Sequence, residues 1–152
     1  MLRAAFVVVL GWWVMAGAMA AQTFSCGGAE VKIAVIKRDS KNWEERAEAV
    51  VTVSKEGYST VLRYRHLDFI GGACVPVRDA VPMVAFQAYC GGSGCNDGAN
   101  WGIIETATLR VLTVPSDANR PEAQRLLGTA ALPALTMISV LTEEKALGIT
   151  AP

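Results

Sequence analysis

The 152-residue sequence has one histidine, His66, and no excess of either charge, since 14 Lys and Arg balance 14 Asp and Glu. A single histidine disfavours zinc sites that use several imidazoles. The charge balance argues against a nucleic-acid partner, because nucleic-acid binding depends on basic clusters that release counterions from phosphates. We therefore expect neither a metal cofactor nor a nucleic-acid partner.

Long apolar runs are also scarce, and the longest lies at the start of the chain. Arg3 precedes this run, and Ala18-Met19-Ala20 follows it as a small-x-small cleavage site. The run is shorter than the roughly 20 residues that a membrane helix needs, and its flanks are typical of a secretory signal peptide. The sequence predicts a signal peptide over residues 1–20, one β-rich globular domain over 21–152, a periplasmic or secreted location, and no membrane association after cleavage.

All four cysteines lie after the predicted cleavage site, and their even number in an exported chain favours disulfides. Three pairings are open. We favour Cys90 with Cys95 and Cys26 with Cys74, because the glycines between Cys90 and Cys95 let a short loop turn back on itself.

Alternating apolar residues predict a mainly β domain: a small, disulfide-bonded antiparallel β-sandwich or barrel-like domain with one or two short helices near the C-terminus. The two-residue period predicts strands in residues 31–37, 47–54, 58–67, 83–90, 101–105 and 109–114. Lys55-Glu56-Gly57 predicts a hairpin turn. Gly71-Gly72 and the stretch from Pro76 to Pro82 predict breaks in the chain.

Two short helices are predicted in the last third of the chain. Asn119 is the expected N-cap of the first, which Gly128 would end. Thr142 is the expected N-cap of the second, which Gly148 would end, and residues 135–141 between them could form a final strand.

The stretch "YCGGSGCNDGANWG", residues 89–102, is the best candidate for a functional surface. A disulfide-closed loop has a fixed shape, which reduces the entropy lost on binding. We expect a non-catalytic, exported binding module that recognises a protein partner in the cell envelope through the Cys90–Trp101 loop. Trp101 could be a surface anchor or a core residue. The candidate binding residues are Ser93, Asn96, Asp97, Asn100 and Trp101.

Catalysis through this loop is an alternative. Ser93, His66 and Asp68 could form a relay of the hydrolase type, with His66 and Asp68 two residues apart on one strand face. However, Gly-Gly-Ser-Gly-Cys lacks the second glycine of the nucleophile elbow G-x-S-x-G. An envelope hydrolase that uses Ser93 and His66 therefore remains an alternative function, and we expect no catalytic residue.

Redox and metal chemistry have weaker support. A reactive dithiol normally uses C-x-x-C at the start of a helix, whereas four residues separate Cys90 from Cys95 and no helix signal follows. Asn96, Asp97 and Asn100 offer oxygens for calcium, but one carboxylate is little charge for a dication. We expect no metal site and no cofactor.

The Ser93-Gly94 pair in a closed loop is similar to the Ser-Gly loop that secreted bacterial lysozyme inhibitors insert into an enzyme cleft. The similarity covers these two residues and the small disulfide-bonded β architecture, and the tyrosine that completes the inhibitors' motif is absent. Periplasmic immunity proteins against cell-wall-degrading toxins are likewise small and exported. The resemblance implies a second alternative: a secreted inhibitor or immunity protein against a cell-wall-degrading enzyme.

Overall fold

The fold is built mainly from β-strands, in a computed structural model that describes residues 20–95 and 98–149. The strands are β1 (Ala21–Cys26), β2 (Ala29–Lys37), β3 (Ala47–Lys55), β4 (Tyr58–Tyr64), β5 (Phe69–Val75), β6 (Met83–Tyr89), β7 (Trp101–Glu105), β8 (Arg110–Thr113) and β9 (Ile138–Ser139). The helices are α1 (Arg120–Leu127) and α2 (Val140–Ala146), and a short 3-10 turn spans Trp43–Glu45. Residues 1–19, which hold most of the predicted signal peptide, lie outside the described residues.

The first sheet has four antiparallel strands in the order β1-β2-β3-β4. Its strands follow the predicted period: Val31, Ile33 and Val35 on β2 are fully buried. The turn between β3 and β4 has φ of 51° at Glu56 and 83° at Gly57. Positive φ at both central residues suits a two-residue hairpin, because it matches the twist of the flanking strands. The predicted hairpin is confirmed.

The second sheet has five antiparallel strands in the order β8-β7-β6-β5-β9. The expectation that Gly71-Gly72 breaks the chain was wrong, since both glycines lie inside β5. A Cβ on Gly71 would lie 2.2 Å from the carbonyl oxygen of Thr136, and one on Gly72 would lie 2.7 Å from Ile33 Cδ1. The two glycines therefore let neighbouring segments approach β5 closely, which is a recognised use of glycine within a strand.

The main core lies between the two sheets, which confirms the mainly β, sandwich-like class, and the described strands do not close into a barrel. Phe86 and Ile104 of the second sheet join Ile33 and Val51 of the first in this core. A disulfide between Cys26 and Cys74, with a Cα–Cα distance of 5.2 Å, connects β1 to β5 and hence one sheet to the other. This disulfide closes the longer of the two predicted rings, and the predicted pairing is confirmed.

A second apolar cluster lies on the other side of the five-stranded sheet, where α1 packs. Trp101 and Ile103 of β7 contribute to it together with Ala123 and Leu127 of α1. The outer face of the four-stranded sheet is different, because it carries exposed charged side chains such as Lys32 and Arg63. The layers are therefore the four-stranded sheet, the five-stranded sheet and α1.

Both helices lie where the sequence predicts them, but their N-cap interactions differ from the predicted ones. Asn119 is at the N-cap position of α1, but its side chain makes no cap hydrogen bond. Helix α2 begins two residues before the predicted Thr142 cap, and the side chain of Ser139 accepts from Thr142 N–H at 3.4 Å. The predicted final strand is reduced to the two residues of β9. Among residues 20–95 and 98–149, no helix is long and apolar enough to span a membrane.

Candidate functional site

The predicted loop is closed by a disulfide between Cys90 and Cys95, whose Cα atoms are 5.9 Å apart. Within it, the backbone N–H of Cys95 donates to the carbonyl oxygen of Gly92 at 3.0 Å, so Gly92–Cys95 form a turn. The backbone N–H of Gly91 donates to Asp68 Oδ2 at 2.6 Å. The loop is therefore held both within itself and against the segment that follows β4.

Hydrogen bonds of its backbone groups hold Asp68 in place. Its N–H donates to the carbonyl oxygen of Tyr89 at 3.1 Å, and its carbonyl oxygen accepts from Val140 N–H at 2.9 Å. Burial and the charge of Asp68 raise the pKa of Glu144 on α2 above its usual range. Asp68 therefore ties together the end of β6, the start of α2 and the disulfide loop.

The sequence predicts that His66 continues the strand, and this prediction is wrong. Strand β4 ends at Tyr64, and His66 has a left-handed backbone with φ of 56°. Left-handed backbone is uncommon in residues other than glycine, although histidine is among those that tolerate it. The turn at His66 directs the chain towards β5, so His66 and Asp68 do not share a strand face.

A cleft of about 410 Å³ adjoins the loop, where the segments after β4, β6 and β8 meet. Cys90 and Cys95 form one side of it, so the disulfide itself is part of the wall. Of the nine other residues that line it, three are apolar and six have polar side chains. These side chains belong to Tyr64, His66, Tyr89, Asn100, Ser116 and Asp117.

Tyr64 has an unusual environment on this cleft. Its hydroxyl is buried without a hydrogen-bond partner among the described residues, and its ring packs against Phe86 with 6.1 Å between centroids. Burial raises the pKa of Tyr64 to about 12. The hydroxyl therefore stays protonated at neutral pH and has an unused capacity to donate or accept.

The structure separates the five predicted binding residues into groups. Ser93 is exposed at the loop tip, and Asn100 is buried and lines the cleft. Trp101 is only 4% exposed and packs in the cluster beneath α1, where its Nε1–H donates to the carbonyl oxygen of Gly98 at 3.2 Å. Of its two proposed roles, the core role is therefore correct, and Trp101 is no surface anchor. Asn96 and Asp97 lie outside the described residues.

The proposed Ser93, His66 and Asp68 relay is not assembled in the structure. The Asp68 carboxylate is occupied by the Gly91 N–H. No hydrogen bond joins Ser93 to His66 within residues 20–95 and 98–149. Those same residues contain no group of three or more His, Cys, Asp or Glu side chains that could hold a metal ion.

Sequence reasoning missed several residues of the cleft. Tyr64, Ser116 and Asp117 are far from the loop in sequence, and the fold brings them beside Cys90 and Cys95. Pro115 marks the end of β8 in the sequence, but the alternating pattern continues past Tyr64, where β4 ends. Neither segment gives a local signal that the two strand ends share one cleft.

Comparisons with family models, with curated proteins and with solved structures found no match to this chain. The functional argument therefore depends on the geometry of the site.

Proposed function

We propose that this protein is an exported, non-catalytic binding module that recognises a protein partner in the cell envelope through the Cys90–Trp101 loop and the cleft beside it. The observation that carries the proposal is the double fixation of the loop, by the Cys90–Cys95 disulfide and by Asp68. A surface that is already ordered loses little entropy when a partner binds.

A protein partner suits the shape of this surface better than a small molecule. Residues 90–94 are exposed and project beside an open, concave cleft whose lining mixes polar and apolar side chains. Small-molecule sites are usually enclosed and lined mainly by apolar side chains. A protruding loop next to a cleft instead offers a partner two complementary features, and Ser93 at the loop tip would lie at the centre of the contact.

Export has independent support from the cysteines. The chain forms two disulfides and the described residues contain no free cysteine, which is typical of proteins that fold in oxidising compartments. Cleavage after Ala20 would give a mature chain that starts at Ala21, the first residue of β1. Mass spectrometry of the protein from a periplasmic fraction tests this, and an intact N-terminus at Met1 would contradict it.

The binding function is tested by affinity capture from envelope extract with matched variants. Ser93→Arg places a bulky charge on the loop tip. Ala107→Arg makes the same kind of change in an exposed turn at the opposite end of the sandwich. We expect a specific partner to be recovered with the wild type and with Ala107→Arg, and to be lost with Ser93→Arg.

Three results would contradict the proposal. Equal recovery of the partner with both variants would show that the contact surface lies outside the loop. A covalent serine-hydrolase probe that labels Ser93, with the labelling lost in His66→Ala, would show that the loop is catalytic. Failure to recover any partner would remove the support for a binding role.

A further inference from the structure

The outer face of the four-stranded sheet contains a buried carboxylate surrounded by arginines. Glu48 on β3 is only 3% exposed. Its Oε2 accepts from Arg63 Nη1 at 2.7 Å, while its Oε1 lies 3.3 Å from Arg38 Nη1 and 3.5 Å from Arg65 Nε. Burial by itself would raise the pKa of Glu48, but the three guanidinium groups outweigh that effect and the pKa is lowered.

This cluster leaves positive charge unbalanced at the surface. One carboxylate faces three guanidinium groups, whose side chains remain 38% to 55% exposed. Lys32 on β2 adds a fourth cation on the same face, and Glu30 on β2 adds a second carboxylate there. The whole chain has no net charge, so acidic residues elsewhere in the chain balance this local excess of cations.

An apolar strip lies beside the cations. The strand register aligns Ala34 with Val50 and Val50 with Arg63. The next row aligns Lys32 with Thr52 and Thr52 with Val61. A groove of about 190 Å³ runs over these rows and is also lined by Ile36. Its volume suits one branched apolar side chain, with a cation at either edge.

We propose that this groove binds an extended acidic segment of a protein partner, with an apolar side chain of the segment between Val50 and Val61 and its carboxylates on Lys32 and Arg63. Charge complementarity identifies the acidic character of the segment, and the apolar strip identifies an apolar side chain on the same face as the carboxylates, at every second position of the extended segment. Glu48 positions the guanidinium groups before binding, which reduces the entropy cost of pairing them with carboxylates.

This surface is separate from the disulfide loop, so the proposal does not depend on the function proposed above. Successive residues of a strand point to opposite faces. Arg63 therefore faces outward from the sheet, whereas Tyr64 packs against the core and lines the cleft. A partner at the groove and a partner at the loop would contact opposite sides of the end of β4.

The experiment measures fluorescence anisotropy of a labelled synthetic peptide, about eight residues long, in which every second residue is serine and the residues between are glutamate and valine in turn. Glutamate and valine then point to the same face of the extended peptide, and its length, about 26 Å, spans the three strands that line the groove, β2, β3 and β4. The protein is the purified, disulfide-bonded chain. We expect saturable binding that weakens as salt rises, because exposed ion pairs are screened. A peptide with lysine in place of glutamate should not bind, and one with serine in place of valine should bind more weakly.

Arg63→Gln removes one pairing cation and should weaken peptide binding by roughly fivefold, the upper end for an exposed ion pair. Arg110→Gln is the matched control, since Arg110 is an exposed arginine on β8. Ser93→Arg should leave peptide binding unchanged. Circular dichroism of each variant checks that the fold is retained.

Three outcomes would overturn the proposal. Equal losses of peptide affinity with Arg63→Gln and Arg110→Gln would mean that the peptide binds only through the overall charge of the protein. Binding of heparin that depends on Arg63, without binding of the peptide, would identify a surface for sulfated polysaccharide instead. Equal binding of the valine and serine peptides would exclude use of the apolar strip.

Discussion

The carboxylate of Asp68 accepts a hydrogen bond from the backbone N–H of Gly91 at 2.6 Å, so the turn after β4 fastens the disulfide loop. The backbone of Asp68 is fixed in turn by bonds to Tyr89 and Val140. The loop is thus held by a covalent bond at its base and by a polar contact on its side. These two restraints can be removed separately, which makes their roles testable.

Replacing Asp68 with alanine should free the loop while the domain stays folded. The lost bond is charge-assisted but exposed, so we expect a decrease of about 1 kcal/mol in the free energy of unfolding. Amide hydrogen exchange at Gly91 should become faster. Asp39→Ala is the control, since Asp39 is another exposed carboxylate. Unchanged exchange at Gly91 in Asp68→Ala would show that the hydrogen bond does not restrain the loop.

The two disulfides should differ in their effect on stability. They close rings with sequence separations of 48 and 5 residues, for which chain entropy gives about 4 and about 2 kcal/mol. The double serine variant of Cys26 and Cys74 should therefore lose more stability in urea unfolding, because it also releases β1 from β5. The double serine variant of Cys90 and Cys95 should stay folded, and on the proposed function it should bind a partner more weakly than the wild type. The reverse order of stabilities would contradict this interpretation.

Much of the fold follows from local sequence. In β2 and β3 the apolar residues alternate over most of each strand, so one face had to be buried, and both strands lie where the pattern predicts. The glycines between Cys90 and Cys95 favoured a short ring, and the structure has it. In these segments, the local signal and the long-range packing agree.

The remainder depends on contacts between distant segments. Gly71 and Gly72 resemble a turn in sequence, but they allow close packing of Thr136 and Ile33 against β5. His66 continues the alternation of β4 in sequence, yet the chain turns there so that Asp68 can reach Gly91. The cleft combines three such turns, and no local pattern encodes their meeting.

Asn119 should be essential for stability through its contacts with strands and not as a helix cap. Its side-chain oxygen accepts from Trp101 N–H at 2.9 Å, and its amide group donates to Trp101 O, Val114 O and the Thr113 hydroxyl. Loss of this buried network should cost about 2–4 kcal/mol in Asn119→Ala. Asn119→Asp should be similarly harmful, because a carboxylate cannot donate to the two carbonyl groups.

The aspartate variant distinguishes the two roles, since aspartate is as good an N-cap as asparagine. Ser139→Asp provides the comparison, because Ser139 does cap α2 with its side chain. Thermal unfolding should show a large loss for Asn119→Asp and little change for Ser139→Asp. Wild-type stability in Asn119→Asp would mean that Asn119 acts mainly as a cap.

The buried hydroxyl of Tyr64 should make the stability of the protein sensitive to alkaline pH. Its pKa is raised from 10.0 to about 12 in the folded state by burial, so between these values the unfolded chain loses a proton that the folded chain keeps. Stability from the neutral phenol is therefore complete below pH 10 and is lost as pH rises towards 12. We expect this contribution to be roughly 1 kcal/mol, because solvent partly screens the site.

Tyr64→Phe removes this titration and should flatten the corresponding part of the pH dependence of unfolding. At neutral pH it should leave stability unchanged or increase it by about 1 kcal/mol, because the hydroxyl has no partner among the described residues. Tyr58→Phe is the control, since Tyr58 is 77% exposed. An equal alkaline effect in both variants would refute the assignment.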